Sequence, residues 1–372
     1  MMYPLGDSSD RTPLPTVPRS TVPRSRSGVK RTSAIACAVG LAAVSCGGSS
    51  DSTASGPVTL TLVTHESFTV SDGIFDSFTA ETGITVEGVG AGDAGEIVSR
   101  AVLSKGQPEG DVLFGIDNTF LQRGLDAEIF VPYESPMLES VPEALQLDPE
   151  HRVTPIDYGD VCVNYWIDAL PGEPPTSLDD LAEPELASSF VTQNPETSSP
   201  GFAFLLATIA TYGEDGWEDY WQRLADGGVT VEAGWEEAYY GQFAAGGGDK
   251  ALVTSYASSP VYEVLFADPP VDVAPTGILT DSCFRQIEFA GILDGTEHTE
   301  EAGKLIDFLL SPEFQADIPL NMFVAPANAD VALPAAFTDH GVTVENPLTL
   351  TPEEIEEHRL AWTDRWTDIV LR

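Results

Sequence analysis

Strand-like and helix-like stretches take turns through the body of this chain, and that alternation narrows its fold more than any other feature. Val58, Leu60 and Leu62 recur with the period of a strand, Ile74 to Thr82 reads as a short helix stopped by Gly83, and Ile84 to Val89 reads as a second strand. Glu96 to Ser104, with Ile97, Val98 and Ala101 on one side, predicts another helix, and Asp111 to Ile116 an apolar strand running into Asp117-Asn118. Such alternation implies an α/β architecture with mainly parallel sheets flanked by helices, and ligand groups at the carboxyl ends of the strands. Ile156 to Trp166 predicts a strand that leaves this first region, a new alternating region reaches about Asp281, and Cys283 to Leu293 leads back. The expectation is therefore two lobes rather than one large core: residues 58–160 open the first lobe, 161–282 form the second, and 283–372 return to the first and end in a helix.

Near the C-terminus, a helix from Thr299 to Leu310 should stop at Ser311-Pro312, and Thr351-Pro352-Glu353-Glu354 is a capping box with Pro at the first helical position. Ile355, Trp362, Trp366 and Ile369 then share one helical face, which suits packing.

Ahead of this body, Lys30 and Arg31 precede an apolar run from Ala34 to Val44 that ends in Ala43-Val44-Ser45-Cys46 and passes into Gly47-Gly48-Ser49-Ser50. About a dozen apolar residues fall short of the roughly 20 that a spanning helix needs, so the run reads as an export signal. The box around Cys46 resembles a bacterial lipoprotein signal, with Ala43 where Leu is commonest, and implies cleavage before Cys46 and lipidation of its thiol. Residues 1–45 are then leader and signal, 46–57 a lipidated Cys and flexible tether, and the protein an extracytoplasmic, membrane-anchored one. Residues 1–28, rich in Pro, Ser and Arg, hold too little apolar content to fold, and Val29 is the expected start of translation.

Losing residues 1–45 removes six basic and two acidic residues from totals of 17 and 59, which leaves 11 basic against 57 acidic, net -46. A field of that sign repels DNA, RNA and anionic headgroups, so nucleic-acid binding is excluded. Beyond Cys37 and Cys46, only Cys162 and Cys283 remain. In an oxidising compartment two cysteines suggest one disulfide, and since each lies in a strand-like run, those two strands should be neighbours.

Chemistry concentrates between Asn194 and Tyr262. A Ser198-Ser199-Pro200-Gly201 turn precedes an apolar helix, with Ser199 the expected cap, and Trp235, Tyr239, Tyr240, Tyr256 and Tyr262 follow at short intervals. A helix N-terminus with free N–H groups and hydroxyls suits an anion, and aromatic faces suit a cationic ring, so the set describes a pocket for a flat polar ligand. The chain has no Gly-x-Ser-x-Gly elbow, no His-Glu-x-x-His and no phosphate loop, which points to binding rather than catalysis. No catalytic residue, metal or cofactor is assigned.

Seven blocks resemble the thiamine-binding lipoproteins that serve ABC importers: LTLVTHESF (60–68), DVLFGIDN (111–118), PIDYGDVCVNY (155–165), PETSSPGFAFLL (195–206), VTVEAGWEEAY (229–239), TSYASSPVY (254–262) and LIDFLLSPEFQADIP (305–319). The resemblance runs from about Val58 to Arg372 and implies the two-lobed type II periplasmic-binding-protein fold, its lobes joined by hinge strands. It carries ligand contacts to Asp93 and Ala94 in the first lobe and to Ser198, Ser199, Trp235 and Tyr256 in the second, with Tyr262 beside them. At three ring-stacking positions, where well-known members have Tyr, Trp and Trp, this chain has His65, Asp72 and Phe323. The resemblance implies a monomer that takes thiamine, a thiamine phosphate or a related aminopyrimidine and docks on a membrane permease. Two other readings stand beside it: a ferric-ion carrier using Tyr239-Tyr240, and a hydrolase using Ser198 or Ser199 with a histidine base.

Overall fold

The computed structural model describes residues 58–372. The leader, Cys46 and the tether to residue 57 lie outside the described residues, and with them the expectations of export and lipidation. The first lobe opens with β1 (Thr59–Thr64), α1 (Asp76–Thr82), β2 (Thr85–Gly90), α2 (Ala94–Leu103), β3 (Val112–Asp117), α3 (Leu121–Asp126) and β4 (Phe130–Val131). The long β5 (Thr154–Trp166) leads out to α4 (Leu178–Leu181), α5 (Pro184–Ala187), β6 (Phe190–Gln193), α6 (Ser199–Tyr212), α7 (Trp217–Gly227), β7 (Thr230–Glu232), β8 (Leu252–Tyr256) and α8 (Ser259–Leu265). The longer β9 (Thr276–Leu293) leads back to α9 (Thr299–Leu309), α10 (Pro312–Asn321), β10 (Ala325–Pro326), α11 (Ala335–His340) and α12 (Pro352–Val370).

The strands pair in the order β2-β1-β3-β9-β5-β8-β6-β7. Two parallel trios, β2-β1-β3 and β8-β6-β7, are therefore joined by β9 and β5, which run antiparallel to each other and to the trio strands they touch. The first half of β5 faces the part of β9 beside β3, and its second half, Val161 to Tyr165, pairs with β8. Each long strand thus belongs to both lobes, as a hinge strand must. β9 begins at Thr276, well before the expected Cys283, because the Val163–Trp166 end of β5 takes Thr276–Leu279 as its partner.

Cys162 and Cys283 form a disulfide between these strands, with Cα atoms 4.2 Å apart, as the cysteine count implied. It sits where the pairing slips from Val161 opposite Phe284 to Val163 opposite Leu279. Ser282 bridges the slip: its Oγ accepts from Val163 N–H at 2.8 Å and donates to Leu279 O at 2.7 Å.

α6 is buried on all sides from Ser199 to Ile209, as a helix that is apolar all round must be. Gly201 lets it lie against β6, since a Cβ there would stand 2.5 Å from Gln193 O. At the other end, Thr351 Oγ1 accepts from Glu354 N–H at 3.2 Å and starts α12. The expected packing face is confirmed by burial of Ile355, Trp362 and Trp366, the last edge-on to Trp221 at 5.4 Å. Arg359, on the same helix, is buried between the rings of Phe120 and Phe202, 4.0 and 4.2 Å from their centroids.

Candidate ligand-binding site

A cavity of about 160 Å³ opens between the lobes, and most of the sequence-predicted residues line it: His65, Asp93, Ala94, Ser199, Trp235, Tyr256, Tyr262 and Phe323. Two do not. Ser198 is wholly buried behind the wall, and Asp72 is exposed in the turn before α1.

The first lobe presents the start of α2. Asp93 is its N-cap, accepting from Ala94 N–H at 2.7 Å, so the helix begins two residues earlier than its apolar face suggests. The second carboxylate oxygen accepts from Trp235 N–H at 3.4 Å, a bond from one lobe to the other. Burial raises the Asp93 carboxyl, and the Ala94 N–H and nearby Ser198 hydroxyl hold it back. Among the described residues the buried Ser198 Oγ has no hydrogen-bond partner of its own. His65 follows β1, its ring lying against Gly115, where an added Cβ would collide with His65 Cδ2; the φ of 99° also favours glycine there.

The second lobe presents the start of α6, and one detail differs from expectation. Ser198, not Ser199, is the N-cap, and neither hydroxyl bonds back to the helix. Ser199 Oγ instead accepts from Gln286 Nε2 at 2.8 Å, and the same amide nitrogen donates to Asp117 Oδ2 at 2.5 Å, tying α6 to β9 and β3. Ser199 and Pro200, the first residues of α6, line the cavity, and the helix carries no acidic residue in its first turn.

Trp235 forms the aromatic wall. It stacks on Tyr239 at 4.9 Å and 21°, meets Tyr240 edge-on at 5.4 Å, and donates from Nε1 to Ser255 Oγ at 3.0 Å. Tyr239 and Tyr240 lie on a π-helical turn, Glu237–Gln242, a local widening that recurs at functional sites. Tyr239 OH donates to Glu263 Oε1 at 2.6 Å, and burial pushes both phenols above their ordinary range. Opposite, Phe323 closes the rim edge-on to Tyr262 at 5.1 Å, and its φ of 58° is costly for a bulky residue.

The residues that sequence reasoning missed lie on the hinge strands: Gln286 and Glu288 line the floor, with Asp117 and Asp157 beside them. Their only sequence signal is charge inside otherwise apolar strand runs such as Ile287-Glu288-Phe289. Burial acts to lower the His65 imidazole, and Glu288, 3.6 Å from Nε2, together with Asp93 and Asp117 outweighs it, so the group is raised. Burial raises Asp157 well above the usual carboxyl range, reinforced by Glu288. Burial pushes Asp117 up to about 6, against the restraint of Thr119 and Gln286.

A family model described as bacterial extracellular solute-binding protein matches residues 110–341. The thiamine-binding periplasmic protein of Escherichia coli K12 is 32% identical over 324 residues, covering 84% of this chain and 94% of that one. Among solved structures, a periplasmic thiamin binding protein superposes with a TM-score of 0.74 at 29% identity, covering 84% of this chain and 96% of that one. Iron-bound HitA from Pseudomonas aeruginosa shares the fold at 21% identity and a TM-score of 0.69, over 84% of this chain and 99% of that one.

Proposed function

We propose, from the premise that this chain belongs to the family of bacterial extracellular solute-binding proteins, that it is the solute-binding component of an ABC importer and carries thiamine or a thiamine phosphate to a membrane permease. The observation that carries this reading is the composition of the interlobe cavity: the start of α6, an aromatic wall and a carboxylate-rich floor face one another across it. The relatives named as thiamine-binding support the same ligand. In this reading Trp235, Tyr256, Tyr262 and Phe323 hold the rings, and Asp93 and His65 read the polar edge. Ser199, at the start of α6, holds the hydroxyl or phosphate tail from the cavity wall, with the buried Ser198 behind it as the helix N-cap. Asp72, exposed in the turn before α1, stays outside the contact set.

Nothing is transformed. Ser199 Oγ is bonded to Gln286 rather than to an imidazole, the wrong partner for a nucleophile. The ferric alternative needs both phenol oxygens as ligands, and Tyr239 OH is instead committed to Glu263 Oε1 at 2.6 Å. The protein acts as an extracytoplasmic monomer tethered through a lipidated Cys46, with residues 58–160 and 283–372 as one lobe and 161–282 as the other. Ligand favours the closed arrangement by bonding both lobes at once.

Thermal unfolding of residues 47–372 with thiamine, thiamine monophosphate, thiamine diphosphate or ferric ion tests this. Ligand at 100 times its Kd stabilises by about 2.7 kcal/mol, a rise of roughly a few degrees. A rise with a thiamine compound is expected; a rise with iron alone, or with none, overturns the ligand assignment.

A further inference from the structure

Three carboxyl groups cross the sheet in one row at the floor of the cavity. Glu288 on β9 is the register partner of Asp117 on β3 and of Asp157 on β5, and opposite residues on neighbouring strands share a face. All three are buried, Glu288 keeping 8% of its surface where it meets the cavity. Like charges directly opposite one another in a sheet are unfavourable, and more so away from water.

Their compensation is uneven. Asp117 accepts from Thr119 N–H and hydroxyl at 2.9 and 2.7 Å, from Phe120 N–H at 3.2 Å and from Gln286. Among the described residues, Asp157 is wholly buried with no hydrogen-bond partner for either oxygen, and Glu288 has the His65 imidazole at 3.6 Å as its ion-pair partner, whose Nε2 forms no hydrogen bond either. The remaining groups facing the row are Asp93 from α2, Tyr256 from β8 and Arg359 from α12. Arg359 is committed to Thr119 O and Glu356, and Arg285, next to the row in sequence, pairs with Asp160 at 2.6 Å. Three carboxyls, Glu288, Asp93 and Asp117, therefore bear on one imidazole, with Asp157 behind Glu288.

Resting on the thiamine reading above, we infer that Glu288, backed by Asp157, selects ligands whose ring system carries a positive charge and discriminates against neutral rings of the same shape. In the empty site one proton rests on Asp157, because two carboxylates side by side do not both ionise and the His65 imidazole favours the Glu288 carboxylate. A cationic ring over Glu288 adds a second positive charge to the row, and the Asp157 proton leaves to the buffer as the ring enters. An uncharged ring offers no such exchange and leaves the row as it was.

The test is titration calorimetry at pH 7 in phosphate and in Tris, with thiamine and with deazathiamine, whose uncharged thiophene replaces the thiazolium. The wild-type protein should prefer thiamine at least tenfold, about 1.4 kcal/mol, and its heat should differ between buffers in proportion to the proton released. Glu288→Gln should bring thiamine down toward the level of the uncharged analogue. Asp157→Asn should remove the buffer dependence of the heat, a change that loss of packing alone does not produce. Equal binding of both ligands by wild type, or a preference that survives Glu288→Gln, overturns the inference and leaves thiamine carriage standing. Failure of wild type to bind either ligand overturns both.

Discussion

Reducing the Cys162–Cys283 bond should cost stability without costing affinity. The cysteines are 121 residues apart in sequence, so in the unfolded chain the bond closes a loop of that length. The chain-entropy relation for such a loop gives about 5 kcal/mol at 25 °C, and native strands that stay paired in the reduced protein retain their own share of the hinge. β5 and β9 pair on both sides of the bond, from Thr154–Ala290 to Trp166–Thr276, so the folded state does not depend on sulfur to hold the two strands together. We therefore expect a loss of about 3–5 kcal/mol in guanidinium unfolding under dithiothreitol, with a steeper denaturant dependence because the freed chain exposes more surface. Neither cysteine lines the cavity; they pack with Ala257, Ile278 and Val344. Ligand affinity of the reduced protein, measured far from the unfolding transition, should stay within about threefold, under 1 kcal/mol. A loss below about 1 kcal/mol would refute the loop-closure reasoning. Intact stability with lost binding would show instead that the bond sets the hinge.

Acidification supplies a second expectation. Asp117 has a folded value of about 6 against an ordinary 3.8, a raised carboxyl, so its contribution is fully present below the unfolded value and lost as pH rises through 6. The ligand-free protein should gain up to about 3 kcal/mol between pH 7 and 4 from this group, and Asp117→Asn should flatten that part of the profile in pH-dependent denaturation. Trp235→Ala, which removes the ring stacked on Tyr239, should weaken thiamine binding by about 0.5–2 kcal/mol, read by calorimetry. Cys46→Ser should move the protein from the membrane fraction to the soluble one on cell fractionation. Small-angle scattering at saturating thiamine should show a smaller radius of gyration than the empty protein, and an unchanged radius would reject closure.

Much of the fold was legible because its signals are local. The period-two apolar residues before Thr64, the apolar run into Asp117 and the glycine at 83 each act on their own neighbours, and the structure keeps each element within a few residues of its expected bounds. The errors fall at boundaries where a distant partner decides. β9 starts early because β5 needs a partner, and α2 starts early because Asp93 caps it. Ser199 looked like a cap beside Pro200, but Gln286, 87 residues away, occupies its hydroxyl. Cys162 and Cys283 were pairable once Cys37 was read as leader and Cys46 as a lipidation site, which left two cysteines in strand-like runs of the body.

The walls of the cavity were legible for a related reason, and its floor was not. Trp235, Tyr239, Tyr240, Tyr256 and Tyr262 cluster within one stretch of chain, and an aromatic cluster beside a Ser-Ser-Pro-Gly turn announces itself without knowledge of the fold. Asp117, Asp157 and Glu288 come from three strands far apart in sequence, and each looks like an isolated acid until register brings them opposite one another. Both β5 and β9 serve the two lobes, so Asp157 and Glu288 stand on the strands about which closure would turn, with Asp117 beside them on β3. A charge placed there meets the ligand whichever lobe binds first. In a sheet a shift of one residue would turn each of these side chains to the other face, so the slip at Val161–Val163 and its Ser282 bridge do more than accommodate the disulfide. They let the second-lobe half of β9 take its own register with β5, while two further slips, between Phe114 and Ile116 on β3 and between Pro155 and Asp157 on β5, set Glu288 opposite both Asp117 and Asp157.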